Sequence, residues 1–137
     1  MTPAERSQAA VPSLDAFESL AAAAYAGLPQ HFRDLCEGLV IRVDEFADPA
    51  TLAQMHCRSA FDLLGLFRGR GLVQRGATAQ TGQFPNMIWL YRRPILAFWM
   101  RVEDSLEAIV AHVLIHEIGH HFGFSDADMD AIEKDAG

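Results

Sequence analysis

The chain has 137 residues, half of them hydrophobic and 21% charged, which suits one globular domain and excludes a disordered chain. Lysine and arginine number 11 against 18 aspartates and glutamates, and the net charge of -7 argues against a phosphate backbone or an anionic membrane, so neither nucleic acid nor membrane is an expected partner. Cys36 and Cys57 lack C-x-x-C spacing and the density of a disulfide scaffold, and no basic start or long apolar run marks an export signal or a membrane span, so a cytoplasmic location is expected.

Residues 1–12 are polar and alanine-rich, and are expected to form a flexible tail ahead of a single domain over residues 13–137. Ser13 can cap a helix through LDAFESLAAAAYAG, with Leu14, Phe17, Leu20, Ala21 and Ala24 as its apolar stripe and Gly27 with Pro29 as its stop. A second short helix is predicted over residues 29–37, ending at Gly38. Residues 39–46 have the β-branched content of a strand. Residues 49–55 and 59–67 read as helical, the second interrupted by Gly65. Residues 68–85, with Arg68, Arg70 and Arg75 among glycines and small polar residues, read as a long loop with a short strand at 72–74. Residues 86–91 read as a strand. At a sheet edge it would pair with an extended peptide, with the preceding loop as a flap. Pro94 can open a short helix through residue 100. Helices and strands mix without regular strand–helix alternation and without repeats, so the expected class is α+β.

Residues 103–122, EDSLEAIVAHVLIHEIGHHF, form the longest helical pattern, opened by acidic residues and closed by Gly123. Between Ala108 and His120 apolar residues surround most of the helix, which predicts a buried central element. The strongly polar side chains there are His112, His116, Glu117 and His120. Spacing of i, i+4 puts the three histidines on one stripe with Glu117 beside it. His116 and His120 can direct ring nitrogens at one ion while Glu117 reaches a water on it, the logic of H-E-x-x-H on a helix. The full pattern is H-E-x-x-H-x-x-G-x-x-D. Gly123, with a positive φ, would turn the chain so that Asp126 comes back as an oxygen ligand. Two imidazoles and one carboxylate leave a tetrahedral position for water. From this chain's own composition, chance supplies on the order of 10⁻² matches to the short motif and roughly 10⁻⁴ to the long one.

At these residues the sequence resembles zincin metallopeptidases, with a metzincin-type glycine turn and aspartate in the last position. With HEIGHHFGFSD, the preceding NMIWLYRRPI and the short acidic tail, it resembles the compact bacterial zincin-like metallopeptidases, or minimal zincins, over about residues 14–133. The resemblance implies a small mixed sheet packed against the motif helix. It also implies one zinc ion, or another divalent metal, held by His116, His120 and Asp126, with Glu117 as general base and a peptide or protein as substrate. No separate methionine turn is evident, and Met129 follows Asp126 by three residues.

In such a site zinc would bring the pKa of its water toward ~7, and Glu117 would take the proton and pass it to the leaving amine. Tyr91, Arg92 and His112 are candidates for stabilising the oxyanion, beside plainer readings as a core tyrosine, a surface arginine and a packing histidine. His121 reads as a helix-end residue, Trp89, Phe98 and Trp99 as core aromatics, and the cysteines as small buried residues. Residues 126–135 read mostly as a solvated helix or tail, apart from Asp126. The alternative function is a non-catalytic metal-containing domain that holds a peptide or partner. Glu117 separates the two, since a binding module needs no proton acceptor beside its metal.

Overall fold

A computed structural model describes residues 11–69 and 86–136. Nearly all of the expected tail and of the expected flap, including the strand at 72–74, lies outside the described residues. The elements in chain order are α1 (Leu14–Ala26), α2 (Gln30–Arg33) running into a 3₁₀ turn at Asp34–Cys36, β1 (Val40–Asp44), α3 (Pro49–Gln54), a 3₁₀ turn at Ala60–Asp62, β2 (Gly65–Arg68), β3 (Met87–Tyr91), α4 (Arg92–Trp99), α5 (Leu106–His121) and α6 (Asp126–Ala136). The fold is α+β, as expected.

Local chemistry sets most helix starts. The Ser13 hydroxyl accepts the Ala16 N–H at 3.2 Å, and the Asp48 carboxylate accepts the Thr51 N–H at 2.7 Å, with Pro49 at the first helical position. The Ser105 hydroxyl accepts the Ala108 N–H at 3.1 Å, so α5 begins at Leu106 and not at Glu103. Pro94 lies inside the first turn of α4, where its missing N–H costs no helical bond, and the helix starts earlier, at Arg92.

Residues 59–67 depart from the helical expectation. A 3₁₀ turn over Ala60–Asp62, closed by a reciprocal capping box between Ser59 and Asp62, gives way to strand β2. The cause is a partner distant in sequence: β2 pairs antiparallel with β3, Gly65 opposite Leu90 and Arg68 opposite Met87. Strand geometry then sends Phe67 to the helical side and Leu66 to the other. Gly65, which interrupts a helical pattern, stands where the strand presses on α5. A Cβ there would lie 2.7 Å from Val113 Cγ1 and 3.1 Å from the Trp89 carbonyl oxygen.

The strand order is β1-β3-β2, with β1 parallel to β3. Residues 86–91 therefore lie at the centre of the three-stranded sheet, contrary to the edge expectation, and among the described residues β2 is an edge. Centrality follows from composition, because β3 must satisfy neighbours on both flanks and bury both faces. Ile88 and Leu90 are fully buried toward the helices, while Trp89 and Tyr91 face a smaller cluster with Ala47 and Leu66.

α5 is the central buried helix, with Leu106, Ile109, Val110, Val113, Leu114, Ile115 and Ile118 in the core. Packed around it are α1, the β2 and β3 strands, α4 and α6. Gly123 adopts φ 80°, the Phe124 N–H donates to the Gly119 carbonyl at 2.8 Å and the Gly123 N–H to that of His120 at 3.2 Å, which ends the helix in the expected turn. The chain then returns along α5. The side chains of Met129 and Ile132 are buried, and Met129 lies so close that a Cβ on Gly119 would stand 2.6 Å from its sulfur. Residues 126–135 are thus a mostly exposed helix, as expected, docked on α5 through Met129 and Ile132.

Replacing Gly123 by alanine forces a side chain into the left-handed region and is expected to lower unfolding free energy by about 1–2 kcal/mol, read by urea denaturation.

Candidate metal centre

The polar stripe of α5 is real. His112 and His120 are exposed and His116 and Glu117 half-buried, with ring centroids 4.0 Å apart for His112 and His116 and 5.8 Å apart for His116 and His120. Opposite the stripe stands Glu133 on α6. Its Oε1 lies 2.6 Å from His112 Nδ1 and 2.8 Å from His116 Nε2. These three residues bring their potential ligand atoms within 4.8 Å of one another.

His116, expected as a ligand, belongs to this group, whereas His120 and Asp126 do not. His120 follows one helical turn later, and Asp126 opens α6 with its side chain exposed. Neighbouring Ser125 and Asp128 close a capping box, Ser125 accepting the Asp128 N–H at 3.1 Å and Asp128 the Ser125 N–H at 3.3 Å. Among the described residues no ion pair joins Asp126 to a histidine.

Sequence reasoning missed Glu133. The available signal was period: Glu133 stands four residues after Met129, hence on the face of α6 that packs on α5. That signal becomes usable once Met129 is known to be core.

Glu117 sits between the motif helix and the edge strand, its Cγ 3.6 Å from where a Cβ on Gly65 would lie. Burial pushes its carboxyl above the usual glutamate range, and the neighbouring His120 pulls it partly back. His121 ends α5 as expected. Its ring packs on Phe67 with centroids 4.3 Å apart, and desolvation holds its pKa down.

Of the three oxyanion candidates, Tyr91 is buried in the cluster with Ala47 and Leu66, and burial, with Asp44, Asp48 and Glu117 adding against Arg68, pushes its phenol up to about 12. Arg92 bonds the Glu45 carboxylate at 2.9 Å and the Pro12 carbonyl at 2.9 and 2.7 Å. His112 remains on the histidine stripe. Both cysteines are free, Cys36 buried and Cys57 half-buried. Among the described residues no helix is long and apolar enough to cross a membrane.

The model of a protein family described as zincin-like metallopeptidase matches residues 36–136, a span holding the whole sheet, the motif helix and the returning helix. A search of curated proteins finds no match.

The raised Glu117 carboxyl fixes the sign of a pH effect. A buried carboxyl that holds its proton to higher pH than in the unfolded chain loses stability as pH rises from its ordinary value of 4.5 through the raised one. Urea denaturation of metal-free Glu117→Gln is expected to show a stability gain over wild type that is absent near pH 4, grows through that window and then levels off.

Proposed function

Because the chain belongs to the zincin-like metallopeptidase family, we propose that it hydrolyses peptide bonds in peptides or proteins, with one zinc ion held by His116, His120 and Asp126 and with Glu117 as general base. The observation that carries this reading is the position of Glu117, beside His116 in sequence, three residues ahead of His120, and half-buried against β2.

The donor chemistry fits the ion. Two imidazoles one helical turn apart and a carboxylate make an N₂O set that zinc accepts and that other first-row divalent ions also accept. The reversal at Gly123 supports the part given to Asp126, since it turns the chain back just ahead of that residue. When bound, such an ion supplies Lewis-acid polarisation of a carbonyl and acidifies water.

The remaining work falls to the chain itself. A Glu117 carboxylate oxygen takes the proton of the attacking water and releases it to the leaving amine, and burial, by raising its proton affinity, suits it to both tasks. β2 has β3 on one flank, and among the described residues no strand on the other. Its unpaired backbone groups offer hydrogen bonds to an extended peptide beside Glu117. A non-catalytic peptide-holding domain would use the same edge but would have no task for Glu117.

The test pairs zinc analysis with peptide-library cleavage. Wild type is expected to cleave, to stop when a chelator strips the metal and to recover with added zinc. Glu117→Gln is expected to keep its zinc and lose about 10²- to 10⁴-fold in rate. Undiminished cleavage by zinc-loaded Glu117→Gln would remove the general base from the reading.

A further inference from the structure

We infer that His112, His116 and Glu133 form a second donor set for a zinc-type divalent cation, one that shares His116 with the motif. The set stands without any appeal to the motif. His112 Nδ1 and His116 Nε2 converge on the same Glu133 oxygen, at 2.6 and 2.8 Å, and their rings lie nearly stacked, with a 30° interplanar angle.

A carboxylate oxygen only accepts, so both nitrogens facing it carry protons in this arrangement. A cation entering between the three groups takes both nitrogen lone pairs once each proton moves to the other nitrogen of its ring, with no net proton release. Zinc–ligand bonds of about 2.0–2.1 Å separate the ligands of a tetrahedral ion by roughly 3.3 Å. The two nitrogens therefore need to move away from the oxygen by only about 0.5–0.7 Å. His112 is exposed, and a cavity of about 410 Å³ between α1 and α5 has His112 and Glu133 in its wall, which gives an ion a route in from solvent.

Helix geometry explains why two sets arise. Histidines at 112, 116 and 120 make two overlapping i, i+4 pairs. The returning helix carries two candidate carboxylates: Asp126 where it begins, and Glu133 two turns later against His112 and His116. His116 has one Nε2, and here it faces Glu133. An ion held by Glu133, His112 and His116 therefore excludes one held by His116, His120 and Asp126, and the chain takes a single ion in one place or the other. The existence of the second set is independent of the proposed function, while the competition rests on the ligand assignment made there.

The experiment is zinc titration of the full-length metal-free chain by calorimetry, with chelator competition for affinity and circular dichroism to verify folding. His120 and Asp126 are both exposed, so His120→Ala/Asp126→Asn leaves the core intact. This variant is expected to bind one zinc per chain, and adding Glu133→Gln or, separately, the exposed His112→Ala is expected to weaken that binding by roughly 10- to 100-fold or more. His116→Ala is expected to weaken binding most, since it removes a ligand from both sets. The inference is overturned if folded His120→Ala/Asp126→Asn binds no zinc, or binds it with an affinity indifferent to Glu133 and His112. Two zinc ions bound at once by wild type would overturn the sharing of His116. Full-strength binding by His120→Ala/Asp126→Asn, together with loss of zinc from Glu133→Gln alone, would support the second set and sink the motif ligands.

Discussion

A helix that is apolar around most of its circumference has no stable existence in water until other elements cover it, and α5 is such a helix. Seven of its aliphatic side chains lie in the core, contributed by every turn from Leu106 to Ile118. Covering it takes α1, the inner face of the sheet, α4 and α6 together. Among what is left exposed or half-buried is the stripe of His112, His116, Glu117 and His120. The burial of α5 and the exposure of its chemistry are thus one constraint seen from two sides: the polar side chains occupy the remaining gap between the elements that wrap the helix.

The floor and rim of that gap come from close backbone approaches. Gly65 lets the edge strand press on Val113 and come beside Glu117, and Gly119 lets Met129 seat α6 against the motif turn itself. Seating Met129 brings Glu133 to the histidines, because the two residues share a helix face. The methionine that follows the motif so closely in sequence therefore acts from below the helix, as a packing contact that aims a carboxylate. Membership of the zincin-like metallopeptidase family accounts for the motif, while the orientation of His116 toward Glu133 is a property of how this chain packs α6.

Features decided within a few residues were legible in the sequence. Ser13, Pro49 and Gly123 mark helix boundaries because their effects are local: a hydroxyl within reach of an N–H, a fixed φ, a missing Cβ. The motif helix was legible because its apolar period runs unbroken for several turns. Features decided by a distant partner were not. Leu66 and Phe67 satisfy a helical pattern as well as a strand pattern, and β3 chooses between them. The central place of β3 likewise depends on β1 and β2 reaching it from opposite flanks. Glu133 reads as one more acid in a solvated helix or tail until Met129 is known to be buried.

The grip of Arg92 on the Pro12 carbonyl joins positions 80 residues apart, across nearly everything that builds the sheet. Closure entropy grows only with the logarithm of loop length, so a ring of this size is disfavoured by only about 0.6 kcal/mol more than one half as long. The expense is one of time more than of free energy. Contacts so remote in sequence form after local ones, as does the parallel pairing of β1 with β3. The segment around Pro12 is thereby among the last to find its place, and until it does, the guanidinium and Glu45 stand as a polar latch without its bolt.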